Sequence, residues 1–215
     1  MTDHTLEAQL SAVRAELETR PPGLVAHVLR VQDEALTLAG EWDADPIRVR
    51  LAVWGHDLFR SFAEPEQLRL AAEVGVPIAP QDEASPIMLH GPIAAVVMRD
   101  RFGVTDAEVL EAVADHTAGY AAMPLIAKIV LIADKVEKRK RTRTPAMKPI
   151  RRLAMRDLDT ALLCWADWKW VQECENGWST YPQHWEARQV WVHEHHRDDP
   201  SPPAVLPKSR KKKHR

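Results

Sequence analysis

The residues of this chain that could do chemistry are histidines and aspartates placed inside apolar segments. The pair His56-Asp57 lies in the segment Asp45–Phe62, which also carries a run of apolar side chains. A neutral polar group left unpaired in such surroundings costs on the order of 2–7 kcal/mol, so this pair needs partners. A metal ion is the favoured partner because it could satisfy several such groups at once. His27, His90, His116 and Asp134 occupy similar positions and would supply further ligands.

Asp134 is the hardest of these residues to explain as ordinary core. It follows the apolar run Ile129–Ala133, where a carboxylate needs a cation or several N–H donors. A single histidine on an apolar helix is more often a hydrogen-bonded core residue than a ligand. Because six such residues occur in one domain, a shared role explains them better than six unrelated core positions. Mixed histidine and carboxylate ligation suits iron, manganese, zinc, cobalt or nickel rather than calcium or magnesium.

The elements that must position these residues are predicted to be helices. Glycine is scarce, and short β-branched runs stand beside many good helix formers, so the sequence predicts an all-α protein. Asp45 is expected to cap a helix whose first residue is Pro46. The apolar spacing also predicts an amphipathic helix over Thr5–Thr19 and the longest helix of the chain over Ile150–Glu175.

The length of 215 residues predicts one large domain. We expect residues 21–196 to form it, with an N-terminal helix in residues 1–20 packed on it. Residues 197–215, RDDPSPPAVLPKSRKKKHR, have the composition of a disordered basic tail. No signal peptide is visible at the N-terminus, and no apolar run approaches ~18 residues. The sequence therefore predicts a cytoplasmic protein without membrane contact.

Positive charge is concentrated in two segments, although the formal net charge is only −2. Nine basic residues fall between Lys135 and Arg152, and six between Lys208 and Arg215. Charge runs are more often simply solvated, but a polyanion could also explain them, and the tail is a candidate for weak contact with RNA.

Tryptophan is concentrated as well, since six of the eight tryptophans fall between Trp165 and Trp191. We favour core and homodimer interface for this cluster over a stacking surface for adenine. Trp178 is the candidate for stacking.

The order of the candidate ligands resembles that of a known family. His27, then His56-Asp57, then Asp134 follows the H…HD…D order of the HD-domain metal-dependent phosphohydrolases. The motifs HGP at 90–92, HTAG at 116–119 and IAD at 132–134 are similar to motifs of the YqeK-like symmetrical bis(5'-nucleosyl)-tetraphosphatases. The segment YPQHWEAR at 181–188 is similar to the C-terminal HP-x-T-x-EAR segment of that branch.

The resemblance implies an HD-domain helical bundle that hydrolyses diadenosine tetraphosphate to two ADP molecules with iron or a similar metal. The implied metal ligands are His27, His56, Asp57 and Asp134. The implied catalytic residues are Asp57, which would orient the attacking water, and Arg60, His90 and His116, which would neutralise charge on phosphoryl oxygens. His116 is the first candidate for a general acid. Substrate contact is implied for Leu58, Phe59, Arg60, His90, His116, Thr117, Lys140, Gly177, Trp178, Tyr181 and Pro182.

The chain departs from the family pattern around the expected substrate. Arg60 and Lys140 stand where the family has lysine and arginine, Leu24 replaces a basic residue, and His184 replaces a threonine. These changes leave two alternatives open. One is an HD hydrolase of a nucleoside mono-, di- or triphosphate, and the other is a non-catalytic nucleotide- or RNA-binding protein.

Overall fold

The computed structural model describes residues 3–196, and all regular elements in that range are helical. The predicted all-α class is therefore confirmed. A 3₁₀ turn, Pro86–Leu89, precedes the sixth α-helix. The α-helices of the described range are α1 Asp3–Leu17, α2 Pro22–Glu41, α3 Pro46–His56, α4 Glu64–Val74, α5 Pro80–Ala84, α6 His90–Phe102, α7 Ala107–Asp115, α8 Leu125–Val136, α9 Lys138–Arg143, α10 Met147–Ala154, α11 Leu158–Asn176 and α12 Pro182–His196.

Local capping chemistry sets the ends of the helices that carry the site. Asp45 Oδ1 accepts hydrogen bonds from the backbone N–H groups of Ile47 at 2.8 Å and Arg48 at 3.1 Å, and Pro46 is the first residue of α3. This start agrees with the prediction. Asp106 caps α7 in the same way, accepting from the N–H of Val109 at 3.2 Å.

The prediction of one long helix over Ile150–Glu175 is wrong. Helix α10 ends at Ala154 and α11 begins at Leu158, with Asp157 as its N-cap. The Asp157 carboxylate accepts from the backbone N–H of Thr160 at 2.9 Å, and this local bond starts a new helix instead of continuing the old one. The longest described helix is α2, with 20 residues.

Helix α3 lies at the centre of the bundle. It packs against α1, α2, α6, α7 and α8, and its residues from Leu51 to His56 are all buried. A bidentate salt bridge links α3 to α7, because the Arg48 guanidinium donates to both oxygens of Asp106 at 2.6 and 2.7 Å. His56, at the end of α3, is therefore enclosed by protein, and its ring nitrogens need partners from neighbouring protein groups or an ion.

Close backbone contact holds α6 against α7. A Cβ added to Gly91 would lie 2.5 Å from the carbonyl oxygen of Ala114 and 2.8 Å from that of Val113, so only glycine allows this approach. The contact brings the first residue of α6, His90, beside the end of α7, which His116 follows.

Three further observations concern membrane-spanning helices, the cysteines and the C-terminal tail. Among the described helices, none is long and apolar enough to cross a bilayer. Both cysteines, Cys164 and Cys174, are exposed free thiols. The predicted disordered tail, residues 197–215, and its suggested contact with RNA lie outside the described residues.

Candidate metal centre and active-site cleft

Three buried histidines are each held in one tautomer by a backbone carbonyl. The Nδ1 atoms of His56 and His116 lie 2.6 and 2.8 Å from the carbonyl oxygen three residues earlier, and Nδ1 of His90 makes the equivalent bond. A carbonyl oxygen only accepts, so each Nδ1 carries the hydrogen and each Nε2 presents a lone pair. Backbone carbonyls orient metal-binding histidines in this way.

The Asp57 carboxylate is the point where the four histidines meet. Its Oδ2 lies 3.5 Å from Nε2 of both His27 and His56, and its Oδ1 lies 3.3 Å from Nε2 of His90 and 3.6 Å from Nε2 of His116. These ligand atoms form two overlapping groups, one with His27 and His56 and the other with His90 and His116, which share Asp57. The described residues therefore include a cluster able to hold a metal ion.

Asp134 closes the other side of the cluster. Its Oδ1 lies 3.0 Å from Nε2 of His27, and its two oxygens accept from Lys140 Nζ at 2.5 Å and Lys135 Nζ at 2.8 Å. Burial alone would raise the pKa of this carboxyl, but the positive charges of Lys135 and Lys140 hold it well below its usual value. Asp134 is therefore ionised and available as an anionic ligand.

The donor set fits a cation on two independent grounds. His56 Nε2 is buried without a hydrogen-bond partner among the described residues, which is costly for a polar atom. The Nε2 atoms of His90 and His116 lie 3.0 Å apart, and two lone pairs at that distance repel unless a proton or cation is shared. Thr117 Oγ1, at 3.1 Å from His116 Nε2, can relieve only one of them. An ion in each of the two groups that share Asp57 would satisfy all three nitrogens.

Burial favours the neutral form of His56 and His116, and the histidines around Asp57 favour its ionised form. Burial lowers the pKa of His56, and it lowers the pKa of His116 to about 3. For Asp57, burial alone would raise the pKa of the carboxyl, but the surrounding imidazoles of His56, His116 and His90 hold it well below its usual value. Neutral imidazoles and a carboxylate anion are the protonation states that bind metal ions.

The cluster opens into a cleft of about 500 Å³. The cleft contains cations that suit phosphate groups, namely Arg60, Lys135 and Lys140. Sequence reasoning missed Lys135 as a site residue, although its position directly after a buried aspartate in the last turn of α8 was a readable signal. The cleft is lined by Gly23, Leu24, His27, Asp57, Arg60, Ser61, Ile87, His90, His116, Thr117, Asp134, Lys135 and Lys140.

Comparison with known proteins places these residues in a family. No family model matches the chain. A symmetrical bis(5'-nucleosyl)-tetraphosphatase of Halalkalibacterium halodurans is 30% identical over 139 residues, which are 64% of this chain and 72% of the relative. The chain belongs to this family.

Further comparisons agree with the assignment. The tetraphosphatase of Bacillus subtilis is 29% identical over 137 residues, or 64% of this chain and 72% of the relative. That of Staphylococcus aureus is 33% identical over 128 residues, or 59% and 64%. A solved structure of a predicted HD superfamily hydrolase involved in NAD metabolism, from Clostridium acetobutylicum, has a TM-score of 0.80 at 25% identity and covers 86% of this chain and 97% of its own. The expected family and the HD-type helical fold are confirmed.

Two residues expected to contact substrate, Leu58 and Phe59, have buried side chains. Leu58 has no exposed surface and Phe59 is 8% exposed, and both are absent from the described lining of the cleft. The backbone of this turn is held from behind, because Arg20 Nε donates to the carbonyl oxygen of Leu58 at 3.0 Å. The turn after Asp57 directs Leu58 into the bundle, while Arg60 lines the cleft, and substrate contact by Leu58 and Phe59 stays a prediction.

The segment Gly177–Pro182 also lies apart from the described lining of the cleft. Gly177 ends α11 in a left-handed conformation with φ 67°, Trp178 is 67% exposed, and Pro182 begins α12. The Tyr181 hydroxyl donates to Asp82 at 2.6 Å, and Tyr181 borders a small hollow that shares Thr117 with the cleft. Contact of these four residues with the substrate therefore stays a prediction.

Proposed function

We propose that this chain is a metal-dependent phosphohydrolase that cleaves diadenosine tetraphosphate symmetrically into two ADP molecules. The observation that carries the proposal is the convergence of four histidine Nε2 atoms and two ionised aspartates beside a cationic cleft. Polyphosphate hydrolysis needs these two parts, a metal centre and cations for the phosphoryl oxygens. The names of the three relatives support the choice of substrate.

We propose that His27, His56, Asp57 and Asp134 hold the metal ion. Iron is the first choice, and manganese, cobalt, nickel and zinc are compatible with the same ligands. A bound ion of this type would supply a water of lowered pKa as the nucleophile and would screen charge on the phosphates. The group of Asp57, His90 and His116 offers ligands for a second ion.

The side chains around the ion divide the remaining tasks. The Asp57 carboxylate can accept a hydrogen bond from the attacking water and so orient it towards phosphorus. Arg60 and Lys140 line the cleft as donors to phosphoryl oxygens, and Arg60 offers a planar bidentate group. His116 is neutral and donates through Nδ1, so its Nε2 acts as an acceptor or ligand. This protonation state argues against His116 as the general acid.

A different nucleotide substrate is the second candidate. Leu24 lines the cleft where the family resemblance places a basic residue, so one phosphate contact is missing. A nucleoside mono-, di- or triphosphate needs fewer such contacts than a tetraphosphate. A panel of nucleotides with product identification separates the two substrates.

The test combines metal content with product analysis on the same preparation of the full chain. We expect one or two metal equivalents and ADP as the sole product from diadenosine tetraphosphate. Asp57→Asn should lose both the metal and the activity, while Asp100→Asn, an exposed aspartate on α6, should lose neither. Metal without turnover of any nucleotide, or turnover that survives in Asp57→Asn, would contradict the proposal.

Other predictions about partners and location remain predictions. A homodimer, a cytoplasmic location and weak contact of the basic tail with RNA are compatible with the family assignment. The non-catalytic alternative would be favoured by protein that binds no metal under metal-replete conditions.

A further inference from the structure

A second hollow adjoins the cleft on the far side of two lysines. It has a volume of about 110 Å³, and its remaining lining is Thr144, Met147, Trp165 and Trp168. Lys135 and Lys140 line both the cleft and this hollow. A ligand that extends from the histidine–aspartate cluster past the two ammonium groups would therefore contact an aromatic surface.

The walls of this aromatic hollow have the chemistry of a base-binding site. Trp165 is only 2% exposed, and its ring contacts the His184 ring, with centroids 5.0 Å apart, and Lys135 Nζ, at 5.4 Å from its centroid. Trp168 is half-buried, and Met147 is 3% exposed. A rigid indole floor, an accessible indole and a thioether together favour a flat heterocycle.

The other tryptophans near the C-terminus lack this connection. Trp170 and Trp185 lie against each other with ring centroids 6.3 Å apart, and the Arg188 guanidinium covers Trp170 at 4.9 Å. Trp178 is exposed and borders no described hollow joined to the cleft. Among the described tryptophans, Trp165 and Trp168 line a hollow that shares Lys135 and Lys140 with the candidate active-site cleft.

The charges between the two spaces suit a phosphate chain. The amino groups of Lys135 and Lys140 meet at the carboxylate of Asp134 and line this border. Lys140 is the more accessible of the two, with 39% of its side chain exposed. An anionic linker between the cluster and the hollow would meet donors along its path.

We propose that the hollow of Trp165, Trp168 and Met147 binds one adenine of the dinucleoside tetraphosphate, and that Lys135 and Lys140 hold the phosphates that lead to it. This inference rests on the proposed function and adds a subsite to it. It explains how the enzyme would prefer a substrate with a nucleoside at both ends, because a nucleotide with one base could fill only one end.

The test measures kcat/KM of the full chain with diadenosine tetraphosphate and with adenosine 5'-tetraphosphate. Stacking of a base on an aromatic side chain is worth a factor of roughly 5 to 150 in affinity. Trp168→Ala should lower kcat/KM for diadenosine tetraphosphate by that factor, mainly through KM. It should change the value for adenosine 5'-tetraphosphate by less than about twofold, and Trp168→Phe should restore most of the loss.

Trp170→Ala is the matched control, since it removes an indole from the same helix outside the hollow and should leave both substrates unaffected. An equal loss on both substrates, or no loss on either, would overturn the subsite. If the wild type cleaves neither compound, the proposed function fails separately. The intact dinucleotide is then titrated calorimetrically, and unchanged affinity in Trp168→Ala overturns the subsite, while a fall of the stated size supports it.

Discussion

Replacing His184 by glutamine should reduce the loss in free energy of unfolding that acidic pH causes. His184 has no exposed surface, its Nδ1 lies 2.9 Å from the carbonyl oxygen of Ala118, and its Nε2 has no partner among the described residues. Burial lowers its pKa from 6.5 to about 4. The folded protein therefore keeps this imidazole neutral at a pH where the unfolded chain protonates it.

The sign and size of the effect follow from this difference. Stability from the neutral imidazole is fully present above pH 6.5 and is lost as the pH falls towards 4, because only the unfolded state takes up the proton. A shift from 6.5 to about 4 corresponds to about 3 kcal/mol of stability. Glutamine is not titratable and can still donate to the carbonyl oxygen of Ala118, so His184→Gln should escape most of this loss.

Urea denaturation followed by circular dichroism at pH 7.0 and pH 4.5 tests the reasoning. Between pH 7.0 and pH 4.5, the free energy of unfolding of the wild type should fall by about 2–3 kcal/mol more than that of His184→Gln. Acid release of the metal affects both proteins and cancels in the comparison. His193→Gln, an exposed position on the same helix, is the control. Parallel losses in wild type and His184→Gln would refute the claim that the folded state excludes the proton.

Three other substitutions test the parts that position the site. Gly91→Ala should destabilise by about 1–3 kcal/mol in thermal melts and lower activity, because the new Cβ would lie 2.5 Å from the carbonyl oxygen of Ala114; wild-type stability would refute the close contact. Asp106→Ala should cost about 1–2 kcal/mol by removing the α7 cap and the Arg48 pair, measured by urea denaturation. Lys140→Met should lower kcat/KM roughly tenfold with metal content retained, whereas loss of metal would assign Lys140 to the metal centre.

Some parts of the structure follow from residues that are close together in the chain. The start of α3 depends on Asp45 and Pro46, and the capping bonds involve only the next three residues. The break before α11 depends on Asp157 in the same way, although the apolar pattern on either side obscured it. Such features are predictable because the interactions that produce them are local.

The candidate ligands were also predictable from the sequence, because polar residues inside apolar segments are costly unless they have partners. His27, His56, Asp57, His90, His116 and Asp134 were all predicted, and the structure brings them into one cluster. Their order carried the family resemblance, which the comparisons confirm. What the sequence could not supply was the direction of each neighbouring side chain.

That direction was decided by tertiary packing. Leu58 and Arg60 belong to one short turn, yet Leu58 is buried in the bundle and Arg60 lines the cleft. Trp178 was the candidate for stacking, but Trp168, on α11, lines the hollow that joins the cleft. Sequence spacing determines which residues share a helix, whereas the rotation of that helix is set by contacts with elements distant in the chain. The candidate metal ligands were therefore evident from sequence, and the shape of the cleft was not.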